Sequence, residues 1–232
     1  MKSPKLHETT KLFFKKYLYK IAFSNDLNGI FRTELQKSNN LAYTRTKLDE
    51  FASNYRNGKP LVQTFFRTER EVPMEDYLDA KTLYQVLKNN HNEYKIRIEH
   101  ARHLCVYTNN EQLLHTIIQR VVNIEGIWKP STRKKHLLEA DTIIVNNKPE
   151  FPIRVMLKDE VVSPDFANWL RANRDKSKIG DKALQSIDNN LHLGGFYFHV
   201  RDEKVLSIAH MLIGHAIRGV YKLVYMPPTI DK

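Results

Sequence analysis

Short segments in which apolar and polar residues alternate recur along the chain, and this pattern is typical of strands with one buried face. In the first of them Tyr17, Tyr19, Ile21 and Phe23 fall on one side of a predicted strand, with two lysines on the other. The turn-forming residues 146–149 between two such segments indicate a β-hairpin. Further strands are predicted at 61–67, 94–99, 103–107, 124–129, 142–145, 151–158, 196–201 and 219–226.

Helices are predicted where apolar residues recur every three or four positions. The most regular one begins after the capping residues 109–111 and presents Leu113, Leu114 and Ile117 on one side. A Ser-Pro-Asp sequence at 163–165 is typical of a helix start and predicts a helix to residue 173. The remaining helices are predicted at 41–55, 74–88, 182–187 and 203–217.

The order of these elements predicts an α+β protein with two ferredoxin-like units in tandem, each a β-α-β-β-α-β unit with an antiparallel sheet. Strand, capped helix and strand follow one another at 103–129 and again at 196–226, so each segment supplies the second half of one unit. We expect an N-terminal α+β unit at 1–130, a basic connector at 131–140 and a C-terminal ferredoxin-like unit at 141–232. A single larger α+β sheet is the alternative, because short units often share a sheet edge.

Composition argues against a disordered protein and against a membrane-spanning one. The 232 residues include 41% hydrophobic and 10% aromatic residues, which is too many for a disordered chain. No apolar run reaches the roughly 18 residues of a transmembrane helix. The single cysteine, Cys105, cannot form an internal disulfide and fits a reducing compartment. We therefore expect an intracellular, cytoplasmic protein, of a cell or of a virus that infects one, with no membrane partner.

The charge of the chain points to the kind of partner it binds. It carries 37 Lys and Arg against 26 Asp and Glu, a formal net charge of +11. An excess of this size favours a polyanionic partner, and nucleic acid is the commonest one. Lys outnumbers Arg, 23 to 14, and an AT-rich genome produces the same bias. Two segments are expected to be exposed basic connectors that hold phosphates, and they contain Arg133, Lys134, Lys135, Arg174, Lys176 and Lys178.

Strand parity assigns the other candidate residues to sheet faces that helices leave open. Tyr107 and Tyr197 are expected to stack on bases there, at roughly 1–3 kcal/mol each. Tyr221 is assigned to the core. An ordinary solvated sheet face is the alternative, and two sheets packed face to face would hide these residues. The predicted open faces carry Lys95, Arg97 and Tyr107 in the first unit, and Arg154, Lys158, Tyr197, His199, Arg201 and Lys222 in the second.

These features predict a non-catalytic protein that binds nucleic acid, RNA or single-stranded DNA ahead of duplex DNA. In general plan, a basic sheet with a central aromatic residue resembles the RNA-recognition motif. The basic-Gly-aromatic-small-aromatic pattern of that family is absent from both units. The alternative is a structural or assembly subunit, viral or otherwise, that contacts protein partners or further copies of itself.

A metal-independent endoribonuclease is a further alternative. Tandem ferredoxin-like units, a basic charge and this length resemble the CRISPR repeat-processing endoribonucleases, which cut RNA without a metal. The resemblance would assign proton transfer to His199, Tyr197 and Arg201. In place of that family's glycine-rich loop, this chain has only scattered glycines between residues 193 and 219.

No cofactor or metal is expected from the sequence. His210 and His215 are five residues apart on a predicted helix and do not share a face. No phosphate-binding loop, dinucleotide fingerprint, nucleophile elbow or HExxH sequence occurs. We therefore expect a binding protein and not an enzyme.

Overall fold

Strands and helices are mixed throughout the chain, and the predicted α+β class is confirmed. The chain divides into two compact units, of which unit 1 comprises residues 1–9 and 16–131, and unit 2 comprises residues 10–15 and 132–232. Within the part of the chain described, none of the helices combines the length and apolar character needed to cross a membrane. The computed structural model describes residues 3–31, 41–65, 68–90, 93–99 and 103–227.

Unit 1 contains a five-stranded sheet, a separate two-stranded hairpin and three helices in its described residues. The strand order in the large sheet is β1-β7-β2-β6-β5, with β1 parallel to β7 and every other pair antiparallel. The hairpin consists of β3 and β4, which pair antiparallel. The elements are β1 (Lys5–Glu8), β2 (Tyr19–Ser24), α1 (Leu41–Arg56), β3 (Val62–Phe65), β4 (Thr68–Glu71), α2 (Met74–Lys88), β5 (Tyr94–Glu99), β6 (His103–Thr108), α3 (Glu111–Arg120) and β7 (Ile124–Lys129).

The core of unit 1 lies between the helices and one face of this sheet. Ile21 and Ile96 from the strands are buried against Leu83 of α2 and Ile117 of α3. The helix α3 begins as its sequence predicts, because the Asn110 side chain accepts a hydrogen bond from the Leu113 backbone N–H. Residues of even number in β2 and odd number in β5 therefore lie on the opposite face, which we call the open face of unit 1.

Unit 2 contains a second five-stranded sheet, with the strand order β10-β11-β9-β12-β8. The edge strand β8 is parallel to β12, and the other pairs are antiparallel. The elements are α4 (Thr132–Lys135), β8 (Thr142–Val145), β9 (Ile153–Leu157), α5 (Pro164–Ala172), β10 (Ser177–Ile179), α6 (Asp181–Asp188), β11 (Tyr197–Val200), α7 (Glu203–Ile213) and β12 (Ile217–Tyr225).

The core of unit 2 is likewise built from one sheet face and the helices. Val155 of β9 and Phe198 of β11 are fully buried, and they belong to one cluster with Phe166 of α5 and Ala209 of α7. The predicted N-cap of α5 is confirmed, since the Ser163 hydroxyl accepts a hydrogen bond from the Asp165 backbone N–H. We call the sheet face opposite this cluster the open face of unit 2.

Two sequence expectations about local structure in unit 2 are wrong. The turn at 146–149 does not join a hairpin, because β8 pairs with β12 and β9 lies on the other side of β12. Residues 146–152 separate β8 from β9, which is longer than a tight hairpin turn. The segment around Lys178 is not only a connector, because Ser177–Ile179 pairs with β11 as an edge strand. Its three residues are too few to show an alternating pattern.

The two sheets share one strand order. In unit 1 the strands run β5-β6-β2-β7-β1, and in unit 2 they run β10-β11-β9-β12-β8. In each sheet the last strand of the unit carries an additional parallel strand at the edge, and that strand precedes the others in the chain. Each position across one sheet therefore has a counterpart in the other.

Candidate nucleic-acid interface

Four side chains form a row across the open face of unit 2. Lys178 of β10 is paired with His199 of β11, His199 with Arg154 of β9, and Arg154 with Tyr221 of β12. Residues directly opposite each other on antiparallel strands project from the same face. The row therefore reads cation, imidazole, cation and phenol, in the order of the strands.

Arg154 is at the centre of this row and contacts two rings. Its Nε donates a hydrogen bond to Nε2 of His199 at 3.1 Å. Its guanidinium carbon lies 4.5 Å from the ring centroid of Tyr197, within the range of a cation–π contact. The Tyr197 ring stands edge-on to His199 with the centroids 5.3 Å apart. Tyr197 is still 43% exposed, so part of its ring is free to contact a ligand.

The cations around Arg154 form no ion pairs with acidic side chains in the described residues. Burial, followed by the charges of Arg154 and Lys178, lowers the pKa of His199 to about 4. His199 is therefore neutral at pH 7, and because the arginine Nε can only donate, the imidazole proton is on Nδ1. In the described residues no aspartate or glutamate forms a salt bridge with Arg154, Lys178 or Arg201. These cations are available to an external anion.

A cleft of about 320 Å³ opens beside the row. Its polar groups are Lys178, His199, Tyr197 and Glu150. Arg201 lies nearby, with its guanidinium carbon 6.0 Å from the ring of Phe151, a residue that lines the cleft. The remaining lining consists of Pro149, Ile179, Gly180 and Leu223.

The segment Thr10–Lys15 also belongs to unit 2 and adds cations to this face. The Thr10 carbonyl accepts a hydrogen bond from the Ile144 backbone N–H at 2.8 Å. The Lys11 Nζ lies 3.6 Å from the ring centroid of Tyr221, and Lys15 forms a salt bridge with Asp141. Sequence reasoning missed Lys11 and Tyr221. No local sequence pattern indicates that Thr10–Lys15, so distant along the chain, packs on the sheet of unit 2.

The assignment of Lys222 to the open face is wrong. Lys222 is paired with Ile153, whose side chain belongs to the core cluster, so Lys222 projects from the helix-covered side. Tyr221 occupies the open face instead, opposite Arg154. The sequence interpretation placed the larger apolar side chains of β12 in the core. The register shift between Ile217 and Gly219 was not visible from the sequence.

The remaining predicted residues of unit 2 are spread over its surface. Lys158 follows β9, is exposed, and donates a hydrogen bond to the His215 carbonyl. Arg174 and Lys176 are exposed in the turn before β10, and the Lys176 carbonyl accepts a hydrogen bond from the Arg201 backbone N–H. This backbone bond brings Lys176 next to Arg201 at one end of the open face.

The basic connector is only partly exposed. Arg133 and Lys135 are exposed, but Lys134 is only 7% exposed. Its Nζ lies 3.4 Å from the side-chain oxygen of Asn146. The expectation that Lys134 is a free surface cation is therefore wrong, because α4 turns this side chain inward.

Unit 1 carries a corresponding row on its open face. Lys95 is paired with Tyr107, Tyr107 with Lys20, Lys20 with Trp128, and Trp128 with His7. The first four residues of this row are a cation, a polar ring, a cation and an aromatic ring. They lie on the four strands of unit 1 that correspond to the four strands of the row in unit 2. Sequence reasoning missed Trp128, although the alternation of β2 already placed Lys20 outside the core.

The row in unit 1 contains its own anion. The Lys20 Nζ lies 2.6 Å from the Glu99 carboxylate and 4.4 Å from the ring centroid of Trp128. Tyr107 donates its hydroxyl hydrogen bond to the same carboxylate. Burial raises the pKa of Glu99, but the hydrogen bonds from Lys20 and Tyr107 outweigh it and leave that pKa below its usual value.

The expectation that Tyr107 stacks on a base is wrong. Its side chain is 1% exposed and its hydroxyl is engaged by Glu99. The indole of Trp128 is occupied in a similar way, since it stacks on His7 with the ring centroids 4.5 Å apart. On β5, Lys95 is partly exposed and Arg97 is exposed. In the described part of unit 1, the open face therefore has cations on its edge strand, while the central rings of Tyr107 and Trp128 are already engaged.

Comparison with protein-family models, curated proteins and solved structures finds no match to this chain. Among the residues described, no group of three or more His, Cys, Asp or Glu side chains is placed to hold a metal ion.

Proposed function

We propose that the protein binds nucleic acid without acting on it, RNA or single-stranded DNA ahead of duplex DNA, and that the open face of unit 2 makes the contact. The observation that carries this proposal is Arg154, a half-buried cation with no carboxylate partner in the described residues, held between His199 and Tyr197. A partly buried cation without a counter-ion is costly unless a ligand supplies the anion.

Single-stranded nucleic acid supplies what this face lacks. Its phosphates carry the negative charge, and its unpaired bases expose flat surfaces to aromatic side chains and to guanidinium groups. Tyr197 and Arg154 present such surfaces together, and Lys178, Lys176 and Arg201 are placed around them. A duplex hides the faces of its bases, so it would use the cations and not the rings.

We also propose that each unit is ferredoxin-like. Without the added edge strand β1, the strands across the sheet of unit 1 lie in the order β7-β2-β6-β5. Numbered by their place in the chain, these are the last, first, third and second strands. The strands β9, β10, β11 and β12 follow the same order in unit 2, with the extra helix α6 before β11. That order is the one a β-α-β-β-α-β unit adopts.

The arrangement of His199 supports binding more than RNA cleavage. A general base must offer a free lone pair to the proton it removes. The Nε2 lone pair of His199 accepts the hydrogen bond from Arg154, and its pKa of about 4 makes it a weak base at neutral pH. The endoribonuclease alternative would require Arg154 to move away from His199 when RNA binds.

A second candidate function, a structural or assembly subunit, is supported by helix α7. Ile208, Met211 and Leu212 follow a three-and-four spacing on this helix and are all exposed, Met211 by 79%. An apolar stripe of this kind is typical of a surface that contacts protein. Contact with a protein, viral or cellular, and with nucleic acid would use different faces of unit 2.

We propose a cytoplasmic location, which the buried free thiol of Cys105 supports.

The proposal is tested by titrating the full chain into a fluorescently labelled single-stranded oligonucleotide at several salt concentrations. We expect binding whose logarithm of affinity falls linearly with the logarithm of salt concentration. The same strand annealed to its complement is the comparison, and we expect it to bind more weakly. A flat salt dependence, or no binding at about 50 mM salt, would show the proposal to be wrong.

A further inference from the structure

The cleft beside Arg154 combines apolar walls with a few polar groups, as sites for small flat molecules do. Its volume of about 320 Å³ is at the small end of the roughly 300–1,000 Å³ typical of such sites. Phe151, Ile179 and Leu223 supply apolar surface, and Tyr197 supplies a partly exposed ring. A single heteroaromatic ring with an attached phosphate fits this combination better than an extended peptide does.

One carboxylate distinguishes the cleft from the basic face around it. Glu150 lines the cleft, is exposed, and forms no salt bridge within the described residues. A carboxylate repels phosphate, so within this cleft it is suited to a base edge and not to the phosphate backbone. It accepts hydrogen bonds and donates none, and it has two oxygens.

Among the common bases, guanine matches a carboxylate best. Its Watson–Crick edge presents two adjacent N–H donors, at N1 and at the exocyclic amine, which can bond to both oxygens of one carboxylate. Adenine and cytosine each present one exocyclic amine beside a ring acceptor, and uracil presents one N–H between two carbonyls. A carboxylate that faces a ring acceptor leaves both groups unsatisfied, so it discriminates against these bases.

We propose that this cleft holds one unpaired guanine, with its Watson–Crick edge on Glu150, its ring beside Tyr197 and its phosphate near Lys178. This inference rests on the proposed function and specifies the base that the same face selects. The guanine must be unpaired, because base pairing would occupy the Watson–Crick edge that Glu150 contacts. The remaining nucleotides then contact the row without selection by base.

The test uses the full-length protein and labelled oligouridylates that carry a single central guanine, adenine or cytosine. We expect the guanine strand to bind about tenfold more tightly than the other two, equivalent to the ~1.4 kcal/mol that a tenfold ratio requires. Glu150→Gln should reduce that preference to less than about threefold, because an amide presents one acceptor and one donor. Unlabelled guanosine monophosphate should compete with the guanine strand before adenosine monophosphate does.

A pair of variants at Gly180 tests the cleft without changing any charge. A Cβ at Gly180 would have no atom within 4 Å, and its backbone is extended, with φ −76° and ψ 146°. Gly180→Leu should therefore fill the cleft without strain and abolish the guanine preference. Gly180→Ser adds only a small side chain that suits the start of α6, and we expect it to retain the preference.

Three results would overturn this inference. They are an unchanged guanine preference in Glu150→Gln, an unchanged preference in Gly180→Leu, and equal binding of all strands by the wild-type protein. If the wild-type protein still binds single strands in a salt-dependent way in any of these cases, and the substitution Arg154→Gln weakens that binding, the proposed function stands and only the guanine site fails. If the wild-type protein binds no strand at about 50 mM salt, both proposals fail.

Discussion

Arg154 donates a hydrogen bond from its side chain to the imidazole of His199 on the neighbouring strand, at a distance of 3.1 Å. The bond orients the guanidinium group over the ring of Tyr197, with 4.5 Å between the guanidinium carbon and the ring centroid. It also determines which nitrogen of His199 carries the proton. One contact between two strands therefore fixes the position of a cation, a ring and a proton on the open face of unit 2.

The first prediction concerns the charge of Arg154. Arg154→Gln should lower the affinity for a single-stranded oligonucleotide about tenfold or more, since a hydrogen bond to a charged group contributes roughly 1.5–3 kcal/mol. The slope of log affinity against log salt should decrease by about one. Fluorescence anisotropy at four or more salt concentrations measures both quantities.

The matched control is Arg70→Gln, which removes an exposed arginine from strand β4 of unit 1. We expect it to change the affinity less than threefold. Equal losses in the two variants would mean that net charge alone governs binding and that Arg154 has no special place in it.

The second prediction concerns the ring of Tyr197. Tyr197→Ala should weaken binding of a single strand by roughly 1–3 kcal/mol, the contribution of one stacked base, and should leave the salt slope unchanged. Tyr55 of α1 is 60% exposed, and Tyr55→Ala is the control that removes a surface ring from the other unit. A decrease in salt slope without a loss of affinity in Tyr197→Ala would contradict the stacking role.

The third prediction is the titration of His199, followed by NMR of its ring protons. We expect a pKa of about 4 in the free protein, because burial, Arg154 and Lys178 all oppose the charged form. In Arg154→Gln the pKa should rise, since one of these charges is gone, but it should remain below the usual value because the ring is still buried. A titration near 6.5 in the wild-type protein would contradict the geometry of the row.

The same group makes stability depend on pH. His199 is neutral in the folded protein and takes up a proton near pH 6.5 once unfolded. Below that pH the unfolded chain binds more protons, so folding stability falls from about pH 6.5 down to the folded pKa of about 4. Urea unfolding at pH 7.5 and pH 5 should show a larger loss in the wild-type protein than in His199→Gln, which has no such group.

The fourth prediction concerns Glu99 in unit 1. Glu99→Gln should destabilise the protein by about 1–3 kcal/mol, because Lys20 and Tyr107 lose the carboxylate that accepts their hydrogen bonds while the Lys20 side chain stays largely buried. The exposed pair of Lys47 and Glu50 on α1 provides the control, and Glu50→Gln should cost less than about 1 kcal/mol. Urea unfolding monitored by circular dichroism measures both.

The contribution of Glu99 also has a defined pH range. Its folded pKa is lowered, so the stabilisation is complete above the pKa of the unfolded carboxyl and is lost as the pH falls through the folded value. The difference between wild-type protein and Glu99→Gln should therefore shrink on acidification. A difference that is constant with pH would mean that the carboxylate charge plays no part.

Some features of the open face follow from local sequence, and others depend on long-range pairing. The parity of β11 was predictable, since Phe198 and Val200 are apolar and fully buried while Tyr197 and His199 alternate with them. For β12 the sequence did not show which residues face the core, because Tyr221 and Leu223 have the large apolar side chains that core residues usually have. Only their pairing with β9 shows that Tyr221 faces outward.

Other misses have the same cause. Tyr107 has the position of a stacking residue, and only the fold reveals that Glu99 and Lys20 surround it. Lys134 belongs to a run of cations that indicates exposure, whereas one turn of helix buries it. Local periodicity reports which side of an element a residue occupies, but it does not report what the rest of the chain places on that side.

The segment Thr10–Lys15 belongs to unit 2, although the residues on both sides of it along the chain belong to unit 1. This segment is synthesised before nearly all of unit 1, whereas its backbone partner Ile144 and the Tyr221 ring beneath Lys11 follow the whole of unit 1 along the chain. Native contacts of such long sequence separation form slowly. Unit 2 therefore gains these contacts only once the chain has been made through Tyr221, and a fragment that begins at residue 132 would lack both the Thr10 backbone bond and the Lys11 cation of its open face.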